Sequence, residues 1–220
     1  EDCLATIEVF RNMGINIVKE RGIYSVEGKG LRGLEDPEKP LDFGNSGTSI
    51  RLCSGILSAQ SFESTLIGDS SLSSRPMQRI VEPLTAMGAN ITSKNGKLPI
   101  EISPTDSIKS INYSLPIASA QVKSCIMFSA LYAEGVTTIE ENVVTRDHTE
   151  NMFKHFGIPL EMEDLEGKGQ LSRYLKTLKK NLESRKSNKV EKESADLSSM
   201  IRNFEEGNSS FSLLKQILDK

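Results

Sequence analysis

The octapeptide Gly44-Asn45-Ser46-Gly47-Thr48-Ser49-Ile50-Arg51 places two glycines three residues apart among small polar side chains. An apolar run at helical spacing, Ile50, Leu52, Cys53, Ile56 and Leu57, follows directly. A loop of this kind entering a helix aims several backbone N–H groups at one point, which suits an anion. The same residue types also serve as plain helix caps, and spacing alone does not separate the two readings. No Gly-Lys-Ser/Thr follows, so this is not a Walker loop, and the dinucleotide glycine spacing is absent.

Three arginines flank turns or helix starts. Arg51 comes one helical turn after the glycines, Arg75 lies in Ser73-Ser74-Arg75-Pro76-Met77, and Arg146 lies in Thr145-Arg146-Asp147-His148-Thr149-Glu150. Arginine in such places holds carboxylate or phosphate through a two-pronged contact. The competing structural reading pairs Arg146 with Glu150 along one helix face. His148 and His155 are the only histidines and lack the carboxylate or cysteine spacing of a zinc site, so no metal is expected. Nucleophilic catalysis finds no support either, since there is no nucleophile elbow and Cys53 and Cys125 fall inside apolar helical patterns. What remains is a polyanion-binding surface of Gly, Ser, Gln and Arg, suited to positioning and electrostatic stabilisation.

The elements that carry these residues repeat. Residues 4–14 read as an amphipathic helix closed by Gly14, residues 15–18 as a strand, 20–22 as a turn and 23–26 as the return strand. Residues 77–102 repeat the pattern, with Gly88 ending the helix, strands at 89–93 and 98–102, and Asn95-Gly96 as the hairpin turn. A third copy opens at Arg146, with Gly157 closing the helix and a strand expected at 158–162. A second helix recurs with the same period of roughly 70 residues. It aligns Gly47 with Ser119 and Cys53 with Cys125, and leads into strands at 64–67 and 136–139. The pattern describes duplicated αβ units, with two equivalent helix starts around one centre.

The 220 residues are 37% hydrophobic and carry a formal net charge of −3. That balance recommends neither nucleic acid nor an anionic membrane as partner. No run is long and apolar enough to span a bilayer, and three widely spaced cysteines read as thiols of a reducing, cytoplasmic compartment. The chain opens at Glu1 inside a helical pattern, and residues are expected upstream. After Met162 the composition turns to Lys, Glu, Ser and Asn. Residues 163–220 are therefore expected to be a charged tail, helical or partly disordered, with Leu165, Leu171, Leu175 and Leu178 lining one helix and Phe211, Leu213, Leu214, Ile217 and Leu218 another.

Four motifs, taken together and in order, resemble the 5-enolpyruvylshikimate-3-phosphate (EPSP) synthase family: the 44–51 loop, Gly68-Asp69-Ser70-Ser71-Leu72-Ser73-Ser74-Arg75-Pro76-Met77, Ser119-Ala120-Gln121-Val122-Lys123-Ser124, and Thr145-Arg146-Asp147-His148-Thr149-Glu150. The resemblance covers residues 1–162. It implies an α/β fold of repeated αβ subunits, here one incomplete domain of a two-domain inside-out α/β barrel. It also implies enolpyruvyl transfer from phosphoenolpyruvate to shikimate 3-phosphate in aromatic amino acid biosynthesis, without a cofactor. By the same resemblance Gly47, Arg75 and Gln121 contact phosphoenolpyruvate, and Ser119, Ala120, Gln121 and Arg146 hold shikimate 3-phosphate. The family's Lys-Ser pair and Arg would precede Glu1, and its second domain, with the catalytic Asp, would follow the third unit. The chain is thus expected to hold half an active site without a catalytic residue, to be inactive alone, and to be a monomer unless the tail binds a partner. The alternatives are a non-catalytic binding module derived from the fold, and the sister family that transfers enolpyruvate to a UDP-sugar through an exposed cysteine.

Overall fold

The computed structural model describes residues 2–162 and the backbone of 177–178. The first unit is α1 (Asp2–Arg11) followed by the antiparallel hairpin β1 (Asn16–Glu20) and β2 (Ile23–Glu27), with Asn16 opposite Glu27. The second runs β3 (Leu41–Asp42), α2 (Gly47–Leu57), β4 (Ser64–Ile67), α3 (Ser70–Ser74), α4 (Gln78–Ala86), β5 (Asn90–Lys94) and β6 (Lys97–Ser103). Its sheet has the order β3-β4-β6-β5, parallel between β3 and β4 and antiparallel elsewhere. The third runs β7 (Asn112–Ser114), α5 (Ala120–Ala130), β8 (Val136–Glu140) and α6 (His148–His155), with β7 parallel to β8. A two-residue strand, β9 (Thr177–Leu178), pairs antiparallel with β8.

The repeat read from the sequence is present. Gly14, Gly88 and Gly157 follow α1, α4 and α6 with φ of 81°, 89° and 62°, the left-handed conformation that closes a helix. Asn95 and Gly96 both carry positive φ in the β5–β6 turn. Three expectations change. Residues 158–162 form no strand: in the first two units the strand after the helix pairs with its hairpin partner, β1 with β2 and β5 with β6, and no such partner stands beside 158–162 among the described residues. Leu178 stands in a strand rather than on a helix. The register of the two equivalent helices shifts by one, because the caps are Ser46 and Ser119, so Ala120 rather than Ser119 answers to Gly47. The rest of the expected tail, including Leu165, Leu171, Leu175 and Phe211 through Leu218, lies outside the described residues.

Helices α2 and α5 form the centre. In α2 every residue is buried except Thr48 and Arg51, and in α5 every residue except Ala120 and Gln121. Such all-round burial explains why neither helix shows a clean polar face. Gly55 lets them touch: a Cβ there would stand 2.2 Å from the Cys125 carbonyl oxygen. Ser58 and Ser129 hydrogen-bond across the pair at 3.1 Å, and Thr6 of α1 meets Ser49 of α2 at 2.6 Å. The four residues that escape burial all sit at or near the two helix N-termini. The core therefore leaves the polar starts of α2 and α5 side by side at one edge.

Candidate functional site

Gly47 is the first residue of α2, and the Ser46 side chain caps the helix by accepting the Ser49 N–H. The methyl that Gly47 lacks would fall 2.9 Å from Arg75 Nη1 and 3.0 Å from Arg51 Nη1. Two guanidiniums thus converge over a bare glycine at a helix N-terminus. Arg75 reaches this point from the C-terminal end of α3, where Pro76 stops the helix. Its Nη2 donates to Asn45 Oδ1 at 2.5 Å, and Asn45 Nδ2 donates to Asp69 Oδ2 at 2.7 Å. Asp69 also accepts the Leu72 N–H at 2.7 Å as the cap of α3. The Leu72 N–H first, then Asn45 and the positive charge of Arg75, hold the Asp69 carboxyl below the usual carboxylate range.

Arg51 is half-buried and joins the two central helices. Its Nη1 donates to Gln121 Oε1 at 2.7 Å and to Gly47 O at 3.3 Å, and its Nη2 to Pro76 O at 3.2 Å. Burial, with Arg75 and Arg79 nearby, pushes its pKa down. None of Arg51, Arg75 and Arg79 forms an ion pair among the described residues. Three cations near one another, with the Asp69 carboxylate offsetting part of the Arg75 charge, leave a local positive field, the electrostatic requirement for an anion. Gln121, the second residue of α5, uses Nε2 to donate to Thr48 Oγ1 at 2.9 Å.

A cleft beside this network is lined by Thr48, Ala120, Gln121, Ser124, Arg146, His148 and Thr149. Ala120, Gln121 and Arg146 therefore meet at one opening, and Gln121 connects it to the Gly47–Arg75 point through Arg51. Ser119 is the α5 cap, its Oγ accepting the Val122 N–H at a long 3.4 Å. Arg146 is exposed, and the competing reading that pairs it with Glu150 does not hold. Glu150 is buried against Lys123, whose Nζ stands 2.6 Å from Glu150 Oε1 and 2.8 Å from Glu141 Oε2, all three side chains fully buried. The contact with Glu150 is close but off hydrogen-bond alignment, so neither Glu150 oxygen has a well-aligned partner among the described residues. Burial pushes the Glu150 carboxyl up. This cluster fastens α6, and the Arg146 loop before it, to α5.

Sequence reasoning missed Thr48, Asn45 and the Lys123 cluster, and named Arg51 without finding its partner. A local signal existed for one of them: Lys123 is the single charged residue of α5. The pairing of Arg51 with Gln121 spans 70 positions and leaves no mark in either segment.

A family model for EPSP synthase (3-phosphoshikimate 1-carboxyvinyltransferase) matches residues 1–174. The 3-phosphoshikimate 1-carboxyvinyltransferase of Vesicomyosocius okutanii is 55% identical over 161 residues, 73% of this chain and 37% of the relative. That of Hydrogenovibrio crunogenus is 52% identical over 168 residues, 76% of this chain and 38% of the relative. Among solved structures, an EPSP synthase from Acinetobacter baumannii superposes with a TM-score of 0.72 at 44% identity, covering 80% of this chain and 38% of that one. The chain thus spans less than two fifths of the length of these relatives. The repeated αβ units, the arginine-lined helix start and these matches lead to one conclusion: the chain belongs to the EPSP synthase family.

Proposed function

We propose that this chain forms one wall of an enolpyruvyl transferase cleft, binding phosphoenolpyruvate and shikimate 3-phosphate for the 3-phosphoshikimate 1-carboxyvinyltransferase reaction. The observation that carries the reading is the convergence of Arg51 and Arg75, free of ion pairs among the described residues, over Gly47 at the start of α2, with Arg79 adding to the positive charge around Arg51. Phosphoenolpyruvate, with a carboxylate and a phosphate, suits two guanidiniums and a helix N-terminus. Gly47 leaves the space, Arg75 supplies charge, and Gln121 touches both ligands. Ser119, Ala120, Gln121 and Arg146 take shikimate 3-phosphate in the adjoining cleft.

The residues lining that cleft include no carboxylate, and burial pushes the Cys53 thiol up to about 12 and the Cys125 thiol higher still. Neither thiol serves as a nucleophile, which disfavours the UDP-sugar sister reaction. On this reading residues 1–162 are the transferase portion and 163–220 a charged segment whose first residues, to 174, still fall within the family match, the chain works as a monomer in the cytoplasm, and its described residues bind and orient without transferring protons. Three free cysteines, two of them buried, accord with a reducing compartment.

Two titrations test the proposal. Calorimetry of shikimate 3-phosphate, alone and with phosphoenolpyruvate present, is expected to give saturable binding, and the chain with both substrates is expected to release no phosphate above background. Absence of binding to both ligands overturns the binding claim, and steady phosphate release overturns the claim of a single wall.

A further inference from the structure

Gln121 sits where the two proposed ligands meet, and its amide could in principle present either an oxygen or an N–H to the cleft. Two neighbours remove the choice. A guanidinium carries donors and no acceptor, so the amide edge 2.7 Å from Arg51 Nη1 must be the oxygen. The nitrogen edge then faces Thr48 and donates to its Oγ1 at 2.9 Å. Arg51 is itself fixed by two backbone carbonyls, Gly47 O and Pro76 O, so the polarity starts from an anchored cation.

The donor count sets what is left over. An amide nitrogen has two N–H bonds, and Gln121 Nε2 spends one of them among the described residues. Thr48 Oγ1 accepts that bond, and its own hydroxyl proton has no acceptor among the described residues. Both side chains line the cleft. Read from the cation outward, each hydrogen bond in the chain Arg51, Gln121, Thr48 points its proton the same way.

We propose that Arg51 and Thr48 are positioning residues that lock the Gln121 amide, so that its remaining N–H and the Thr48 hydroxyl proton are left for the cleft and favour an acceptor oxygen there. The inference rests on the ligand assignment above, but the lock itself is a property of the unliganded chain. It explains why a neutral Gln121 serves a site for anions: the arginine behind it supplies the direction, and the amide and hydroxyl extend that direction forward. A ligand presenting only a hydroxyl proton at this point would leave the Gln121 N–H and the Thr48 O–H without their acceptor, the loss that costs most in a partly buried site.

The test uses the full chain and four variants, read in two ways. The first readout is the side-chain 15N–1H2 signal of Gln121 without ligand; the second is shikimate 3-phosphate affinity. Thr48→Val removes the acceptor at nearly constant shape and Thr48→Ser restores it. Arg51→Lys keeps the charge but loses the fork, and Gln121→Glu replaces the donor edge by an acceptor. Thr48→Val and Arg51→Lys are expected to shift and broaden the Gln121 signal and to weaken shikimate 3-phosphate by roughly tenfold or more. Thr48→Ser should restore both readouts to near the parent, and Gln121→Glu should weaken binding most, by turning a donor into a like charge. A Gln121 signal unchanged in Thr48→Val and Arg51→Lys, or equal losses in Thr48→Val and Thr48→Ser, would overturn the lock. If the parent does not bind shikimate 3-phosphate, the ligand assignment falls, and the Gln121 signals alone decide the lock by the same criterion.

Discussion

Gly47→Ala adds a single methyl at the point where two arginines converge, and its consequences can be worked through in detail. Gly47 is not among the residues of positive φ, so alanine fits the backbone without strain. The added carbon would stand 2.9 Å from Arg75 Nη1 and 3.0 Å from Arg51 Nη1, about half an ångström inside ordinary contact. Both obstacles are the far ends of flexible side chains, which swing aside more cheaply than backbone. Alanine is also favoured over glycine in a helix by up to about 1 kcal/mol. These small terms oppose each other, and stability should stay within about 1 kcal/mol of the parent, a shift of roughly 2–4 °C in Tm. The ligand site takes the loss. Displacing the guanidiniums disturbs the 2.7 Å bond to Gln121 and the 2.5 Å bond to Asn45. It also removes at least one arginine from reach of an anion, and one charge-assisted hydrogen bond is worth about 1.5–3 kcal/mol. Phosphoenolpyruvate should therefore bind about 10- to 100-fold more weakly. Calorimetric titration of parent and variant, with thermal melts on the same samples, measures both quantities. Unchanged affinity at unchanged Tm would refute an anion at Gly47, and a fall of more than about 10 °C, several kcal/mol by the same scaling, would show that Gly47 serves packing instead.

Arg75→Ala should abolish measurable phosphoenolpyruvate binding while leaving urea stability within about 1 kcal/mol, since its hydrogen bonds are solvent-exposed; a large stability loss would assign Arg75 a structural role. Lys123→Met leaves Glu141 and Glu150 facing each other without a cation in a fully buried site, and should cost about 3–5 kcal/mol in urea unfolding. Adding Glu150→Gln to it should recover part of that loss, and no recovery would contradict the charge argument. The pH dependence has a definite sign, because burial raises the folded pKa of Glu150. The folded chain then holds that proton where the unfolded chain has released it, so this group's contribution is most favourable below the ordinary carboxyl range and is lost as pH rises through the raised value. Glu150→Gln should flatten that decline in melts recorded from acid to neutral pH, and a slope as steep as the parent's would remove Glu150 as its source.

Local chemistry made much of this molecule readable. A helix that ends in glycine is written in adjacent residues, so the helix ends at Gly14, Gly88 and Gly157, and the hairpins after the first two, could be read directly. Arg75 was legible for a similar reason, since Pro76 forces a helix stop beside it. The short elements β3, α3 and β7 were not read, because two to five residues carry too little periodicity to register. Residues 158–162 show the opposite error: an apolar stretch looks like a strand, but a strand needs a paired neighbour, and none stands beside it among the described residues. Pairing between distant segments was the real limit. Arg51 and Gln121, Thr48 and Gln121, and Lys123 and Glu141 are set by how α2, α5 and β8 pack, and nothing next to any of these residues names its partner. The alignment of Gly47 with Ser119 was off by one for a similar reason, since the true match depends on which hydroxyls cap the two helices, Ser46 and Ser119.

The central claim is that the adjoining starts of α2 and α5 form a binding wall for shikimate 3-phosphate. The most direct measurement is a titration of shikimate 3-phosphate into the 15N-labelled chain, followed residue by residue. Saturable shifts are expected to concentrate at Thr48, Ser119, Ala120, Gln121 and Arg146, with phosphoenolpyruvate adding shifts at Gly47 and Arg75. Shifts confined to other surfaces, or none at millimolar ligand, would contradict the claim.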